Sequence, residues 1–229
     1  NRPHSAIREL LRHVGMNRWP AERSQSCVFI AEAYFRIGDD EKGLEYLHKA
    51  IDIDCSRREP WLKLAEYYYR KNDPQRVAAY ATGALTIKQS GFYADNADHY
   101  RHVPHEMLYW AHWQLGNRVD ARNHYESAVL HAPMSYKSLM DYQFFNELPT
   151  VSFVIPTLGR PEGLQRCLDS IKKLNYPQHL IDVCVLEEPE PTVPQKVKMG
   201  VEKTNGEYIV YAANDVEFTP DSLMIAVVT

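Results

Sequence analysis

Acidic and amide side chains follow an apolar run near the end of the chain. The stretch "GEYIVYAANDVEFTPDSL", residues 206–223, places Asn214, Asp215 and Glu217 directly after a strand-like segment. Carboxylate oxygens are ligands that Mg²⁺ and Mn²⁺ prefer, and residues two apart in an extended chain face the same side. Asp215 and Glu217 are therefore candidate ligands of one divalent cation. The alternative is a capped turn, in which Asp215 bonds nearby backbone amides.

Two other strand-like segments also end in polar residues. "VSFVIPTLGR" ends with Thr157 and Arg160 in its turn, and "IDVCVLEE" ends with Glu187 and Glu188. The helix-like segments "PEGLQRCLDSIKKL" and "VPQKVKMGVEKTNG" separate the strands, which predicts a parallel α/β sheet. Ligands of open α/β sheets bind beyond the carboxyl ends of the strands. The pattern thus predicts that three separate segments converge on one crevice.

These segments resemble a known enzyme family. "VSFVIPTLGRPEGLQRCLDSI" resembles the opening strand and helix of family 2 glycosyltransferases, and "TNGEYIVYAANDVEFTPDSL" resembles the acidic DxD-like segment of that family. The resemblance implies a partial Rossmann-like, glycosyltransferase A-type sheet that binds a nucleotide-sugar donor with Mg²⁺ or Mn²⁺. It also implies inverting sugar transfer to an acceptor, whether glycan, lipid-linked or protein, whose identity the sequence leaves open.

The resemblance assigns roles to individual residues. The divalent metal ligands are Asp215 and Glu217. Asn214 stands where the family often has an acid, and Glu187 and Glu188 stand where it has aspartates. For Lys196 the alternative is a solvated helix face. The expected nucleotide-sugar-binding residues are Pro156, Thr157, Arg160, Glu187, Glu188, Lys196, Asn214 and Asp215.

No catalytic residue is assigned. In the family the acceptor-binding half and the catalytic base follow the DxD-like segment, whereas this chain ends at Thr229. We therefore expect a family 2-like enzyme segment that binds a donor without turning it over, and the start without Met suggests an excised segment. The alternative is a helical-repeat interaction module that carries a truncated or inactive transferase half. Nucleotidyl transfer fits less well, because "PTLGRPEG" is a poor phosphate loop.

Residues 24–133 contain a repeat of helix-length amphipathic runs. A unit with a turn at Gly38 recurs after 34 positions, and again after a further 44 positions that include the insertion "SGFYADNADHY". The repeat resembles the tetratricopeptide pattern of helical hairpins, which predicts a helical domain at 1–136 and a transferase part at 150–229. Such repeats either support the transferase or hold an acceptor or protein partner. The predicted core positions are Tyr34, Leu64, Ala65, Tyr68, Leu108, Ala121 and Ala128.

Three histidines recur every three residues in "DHYRHVPHEMLYWAHW". Pro104 interrupts a helix that would align His99, His102 and His105, and "HEMLYWAH" lacks the HExxH spacing of a zinc site. We therefore expect histidines that line a turn or pack in the fold.

Composition excludes several classes of protein. The 229 residues are 45% hydrophobic and carry 26 basic against 30 acidic side chains, so no global charge favours nucleic acid or an anionic membrane. No run approaches the roughly 20 apolar residues of a transmembrane helix. The four cysteines, Cys27, Cys55, Cys167 and Cys184, lack CxxC spacing. They favour a reducing compartment, and hence a cytoplasmic location.

Overall fold

A computed structural model describes residues 2–16, 18–89, 91–133, 135–187 and 192–228. The chain divides into two compact units, Asn1–Ser138 and Leu139–Thr229. Within the described ranges, no helix is both long enough and apolar enough to cross a membrane.

The first unit is all helical. Three hairpins, α2/α3, α4/α5 and α6/α7, confirm the predicted helical repeats. The additional helix α1, which the repeat pattern did not predict, packs Ile7 and Val14 into the core of the first hairpin. The helices are α1 (Arg2–Met16), α2 (Pro20–Arg36), α3 (Asp40–Ile53), α4 (Glu59–Arg70), α5 (Pro74–Leu85), α6 (Val103–Gln114) and α7 (Arg118–His131).

The turns inside the three hairpins share one backbone feature. Gly38, Asn72 and Gly116 have φ angles of 82°, 54° and 80°, in the left-handed region where glycine and asparagine are favoured. They are separated by the 34 and 44 positions of the sequence repeat. Asp39 and Asp73 follow the first two turns and cap the next helix, accepting from backbone N–H groups three residues on. The repeat register is therefore visible in the backbone.

Most of the predicted repeat core is buried. Leu64, Leu108 and the predicted alanines have no exposed surface. Tyr34 and Tyr68 are only partly buried, and Tyr34 packs against the buried core of the first hairpin. Their rings stack on Tyr46 and Tyr80, with centroids 5.6 and 5.5 Å apart, because a phenol can leave its hydroxyl in water while its ring packs on a neighbour.

A buried arginine holds the insertion between α5 and α6, which contains a short 3₁₀ helix at Ala97–Tyr100. The Arg57 side chain is fully buried and donates to Glu59 at 2.7 Å and to Gln25. Its Nε lies 3.6 Å from the Asp95 carboxylate, and its guanidinium lies 4.8 Å from the centre of the Phe92 ring. Asp95 and Phe92 belong to the insertion, so these contacts fix it to the preceding repeats.

The second unit contains the predicted strand–helix–strand–helix–strand order. Helix α8 (Tyr136–Phe145) contains the boundary between the units. The elements that follow are β1 (Val151–Pro156), α9 (Pro161–Lys172), β2 (Ile181–Leu186), α10 (Val193–Lys203), β3 (Tyr208–Tyr211) and α11 (Ser222–Val228), with a short 3₁₀ helix at Gln178–Leu180.

The three strands form a parallel sheet in the order β2-β1-β3. The central strand β1 is buried along its whole length, as its apolar sequence predicts. Phe153 and Ile155 pack with Ile171 of α9 and Met224 of α11 in one core. Helix α10 packs on β1, and a Cβ at Gly200 would lie only 2.2 Å from a Val154 methyl.

Candidate functional site

The carboxyl ends of the strands meet at one edge of the sheet. Pro156 at the end of β1 pairs with Leu186 at the end of β2, and the Thr157 N–H donates to the Leu186 carbonyl at 2.9 Å. Glu187 follows β2 directly, and β3 ends at Tyr211, three residues before Asn214. The three polar segments therefore leave the sheet on the same side.

Thr157 and Asn214 connect the ends of β1 and β3. The Asn214 amide donates to the Thr157 hydroxyl at 2.6 Å, and both residues are buried. The asparagine that stands where an acid was expected thus makes a neutral structural contact. A carboxylate in its place would accept from the hydroxyl instead, and its charge would need a partner in a buried position.

Lys196 lies beneath the same strand end. It belongs to α10, is only 4% exposed, and its Nζ donates to the Thr157 carbonyl at 3.2 Å. The ordered start of α10 supports its position, since Thr192 donates both its N–H and its hydroxyl to Gln195 at 2.9 Å. In the described part of the chain, no carboxylate pairs with this ammonium. A buried cation is costly unless an opposite charge lies near it, and Glu188 and Glu190, which precede α10, lie outside the described residues.

The two candidate metal ligands each pair with an arginine of the α9 region. Asp215 lies 3.4 Å from Arg160, and Glu217 lies 3.1 Å from Arg166. All four side chains are more than half exposed, so these pairs stabilise the fold little and exchange partners easily. The α9 start approaches this turn closely, because a Cβ at Gly163 would lie 3.2 Å from the Asn214 carbonyl.

The two candidate metal ligands do not meet at one point in this arrangement. Arg160 and Arg166 are six residues apart, so the side chains of Asp215 and Glu217 turn toward different points along α9. Among the described residues, no three His, Cys, Asp or Glu side chains are grouped to hold a metal. A cation at Asp215 or at Glu217 would therefore need oxygen ligands from outside the protein.

A cleft of about 360 Å³ opens beside these residues. It includes the predicted site residues Thr157, Arg160 and Glu187, and also residues that the sequence analysis did not select. Gly159 has a φ of 65°, which turns the chain away from β1. The cleft residues that belong to α9 recur every three to four positions along the helix. From the sequence, we interpreted this spacing as helix periodicity and did not assign these residues to a site. The cleft is lined by Thr157, Gly159, Arg160, Pro161, Leu164, Gln165, Leu168 and Glu187.

Two further residues of this region, Glu188 and Cys167, contribute no described side chain to the cleft. The predicted ligand Glu188 lies outside the described residues. Burial, with a smaller contribution from the Asp215 charge, raises the pKa of the Cys167 thiol, so this cysteine is a protonated packing residue.

The helical unit has a separate groove of about 290 Å³. Lys63 of α4 bonds Glu32 of α2 at 2.8 Å and lies 3.5 Å from Glu66, which also pairs with Arg70. Burial alone would lower the pKa of Lys63, but the bond to Glu32 and the nearby carboxylates outweigh it and raise the pKa. Arg36 also lines the groove, together with Phe35 and Leu47.

Comparison with known proteins finds matches among solved structures alone. No protein-family model and no curated protein matches the chain. Among solved structures, one of MamA is 15% identical with a TM-score of 0.46, and it covers 61% of this chain and 74% of its own. A second MamA structure is 17% identical with a TM-score of 0.43, covering 64% and 69%.

A mutant of Thermobaculum terrenum O-GlcNAc transferase is 12% identical with a TM-score of 0.30. It covers 92% of this chain, which spans 42% of that protein. At these identities and TM-scores, the likenesses assign no activity to this chain.

Proposed function

We propose that the α/β unit binds a nucleotide-sugar donor in the cleft at its strand ends, as the donor-binding half of a family 2-like glycosyltransferase. The main support is Lys196, a buried ammonium with one carbonyl partner at the edge of the sheet where ligands of α/β folds bind. Its charge suits a donor diphosphate, and the exposed guanidinium of Arg160 suits it as well. The three-stranded sheet is then the first part of a Rossmann-like, glycosyltransferase A-type fold.

Each remaining site residue has a defined role in this proposal. The Pro156–Thr157 backbone and the carboxylate of Glu187, with Glu188, line the nucleotide. Asp215 holds Mg²⁺ or Mn²⁺, with Glu217 as a second ligand once it leaves Arg166. The metal would neutralise the charge that develops on the leaving diphosphate. Arg160, released from Asp215, is then free to bind a phosphate oxygen.

Calorimetry tests this proposal. We expect nucleotide-sugars to bind in the presence of Mn²⁺, and the Asp215→Asn variant to bind at least ~10-fold more weakly, about 1.4 kcal/mol, because the amide keeps the shape but loses the charge. Asp182→Asn is the matched control, since Asp182 is an exposed carboxylate near the opposite end of β2. Donor binding rather than turnover is measured, because no catalytic base is assigned.

Two results would contradict the proposal. If no nucleotide-sugar binds with or without Mn²⁺, the donor site is wrong. If donors bind equally to the wild-type and Asp215→Asn proteins under both conditions, Asp215 caps a turn and the metal assignment is wrong.

A second candidate function belongs to the helical unit, which we propose as a protein-interaction surface. The supporting observation is the groove between α2 and α4, which is lined by the cations Arg36 and Arg70, by other side chains of both charges, and by the apolar ring of Phe35. Such a groove suits an extended peptide with acidic side chains. Arg36→Glu together with Arg70→Glu should abolish binding of acidic peptides, whereas Arg122→Glu on α7 should leave it unchanged. Equal binding of acidic peptides by the wild type, the Arg36/Arg70 double variant and the Arg122→Glu variant would rule out this groove as the binding site.

A further inference from the structure

Four histidine rings lie in a row between α6 and α7, here called the histidine stack; the two end pairs are stacked, and the central pair is tilted by 38°. His105 and His112 are seven residues apart on α6, and His124 and His131 are seven apart on α7, so each pair lies on one helical face. The ring of His105 lies between those of His131 and His124, with centroids 6.1 and 5.3 Å away. His112 stacks on the other side of His124 at 5.5 Å. Each helix contributes alternate rings, so the stack joins the two helices.

One hydrogen bond links the helices at the centre of the stack. The Nδ1 atoms of His105 and His124 are 3.0 Å apart. One Nδ1 must donate a proton and the other must accept it, so the accepting ring is neutral and carries its proton on Nε2. Protonating the accepting ring would place two N–H groups and added positive charge at this contact. The link therefore exists only while at least one of the two rings is neutral.

The charges around the stack also oppose protonation. The positive charge of Arg58, at the start of α4, disfavours protonation of His105. The negative charge of Asp120, on α7, favours protonation of His124. Arg101 donates to the carbonyl of His131 at 2.8 Å, which adds another cation at that end of the stack.

Among the described residues, the carboxylates on the other elements packed on α6 have partners of their own: Asp98 of the 3₁₀ helix lies 3.8 Å from His102, and Glu59 of α4 pairs with Arg57. Arg76 of α5 lies over the Tyr68 ring, and Lys63 of α4 pairs with carboxylates of its own groove. The carboxylate of Glu106, on α6 itself, accepts from the Ser135 hydroxyl at 2.6 Å.

We propose that this histidine stack is an acid-sensitive latch, which holds the third hairpin closed near neutral pH and lets α6 and α7 separate when the rings become protonated. The site goes beyond donor binding, and it places a regulatory device in the helical unit. A partner that requires the closed hairpin would be released on acidification.

The direction of the pH effect follows from where the protons bind. Burial, then His124, His131 and Arg58, lower the pKa of His105 to about 4, and burial followed by His112 lowers that of His124. In the open hairpin both return toward about 6.5. The open state therefore binds more protons between these values, and the closed hairpin loses stability as the pH falls from about 6.5 toward 4.

Hydrogen exchange on the full chain tests the latch. Protection of the amides in α6 and α7, corrected for intrinsic exchange rates, should fall roughly 10-fold between about pH 7.5 and about pH 5. Protection in α2 and α3, which lack such a stack, should change little. In the variant with His105→Gln and His124→Gln, the amide side chains can hydrogen-bond without titrating, so the fall should disappear. His48→Gln, an exposed histidine on α3, should behave as the wild type.

A measurement on the wild-type protein avoids dependence on the folding of that variant. Histidine ring NMR should show that the rings of His105 and His124 titrate below 6.5. The latch is wrong if these two rings titrate near 6.5, or if α6 and α7 keep their protection at about pH 5. It is also wrong if Zn²⁺ at neutral pH raises protection in the wild type but not in the double variant, because the stack would then be a metal site.

Discussion

The two units each bury a cation, and they treat it differently. Arg57 in the helical unit is met by Glu59, Gln25 and Asp95, so its charge is neutralised inside the fold. Lys196 in the α/β unit has a single carbonyl partner at 3.2 Å among the described residues. Since a buried charge is tolerated when it is paired, the first is a structural tie. Under the proposed function, the second would keep its charge for an anionic ligand.

The largest expected effect is the loss of stability when the buried cation of the helical unit is removed. Arg57→Met leaves the buried carboxylates of Asp95 and Glu59 without their cation, and it should lower the free energy of unfolding by about 3–5 kcal/mol. Urea denaturation followed by circular dichroism measures it. Arg70→Met is the control, because its exposed pair with Glu66 contributes under about 1 kcal/mol. Equal midpoints for the two variants would show that the Arg57 cluster does not hold the helical unit.

A smaller effect tests the packing of the helical hairpins. Ala65 and Ala121 have no exposed surface, so replacing either with Leu should overpack its hairpin and cost roughly 1–3 kcal/mol. Ala79→Leu, on an exposed position of α5, should change the free energy of unfolding by less than about 0.5 kcal/mol. An unchanged denaturation midpoint for both buried substitutions would contradict the repeat register.

Lys196 gives the test on the binding side. Lys196→Met should weaken nucleotide-sugar binding roughly 10-fold, about 1.4 kcal/mol, while the free energy of unfolding stays the same or rises, since an unpaired buried charge is removed. Lys198→Met is the control, because Lys198 is 80% exposed on the same helix. Calorimetry and denaturation together decide the role of Lys196. Reduced stability with unchanged binding would make it a structural residue like Arg57.

The smallest effect distinguishes one metal carboxylate from two. Arg166→Gln frees Glu217 from its ion pair, and we expect Mn²⁺ affinity in the presence of donor to rise about 2- to 3-fold, under about 1 kcal/mol. Glu217→Gln in the same background should remove the gain. Unchanged Mn²⁺ affinity in the Arg166 variant would leave Asp215 as the single protein ligand.

The sequence by itself determined the local elements. Gly38, Asn72 and Gly116 keep the repeat spacing because each left-handed turn needs a residue that tolerates positive φ. Likewise, the apolar sequence of β1 required a strand covered on both faces, and the convergence of Thr157 and Glu187 followed from the parallel order of the strands. These features depend on neighbours in the chain, which a sequence displays directly.

Only the tertiary structure decided which side chains meet. In the sequence His105 recurs in one pattern with His99 and His102, whereas in the structure its partners are His124 and His131, on the opposite helix of the hairpin. It gave Lys196 two possible surroundings, solvent or ligand, and the packing of α10 on β1 buried it. Burial and pairing depend on contacts between residues far apart in the chain, so they become defined only when the elements pack together.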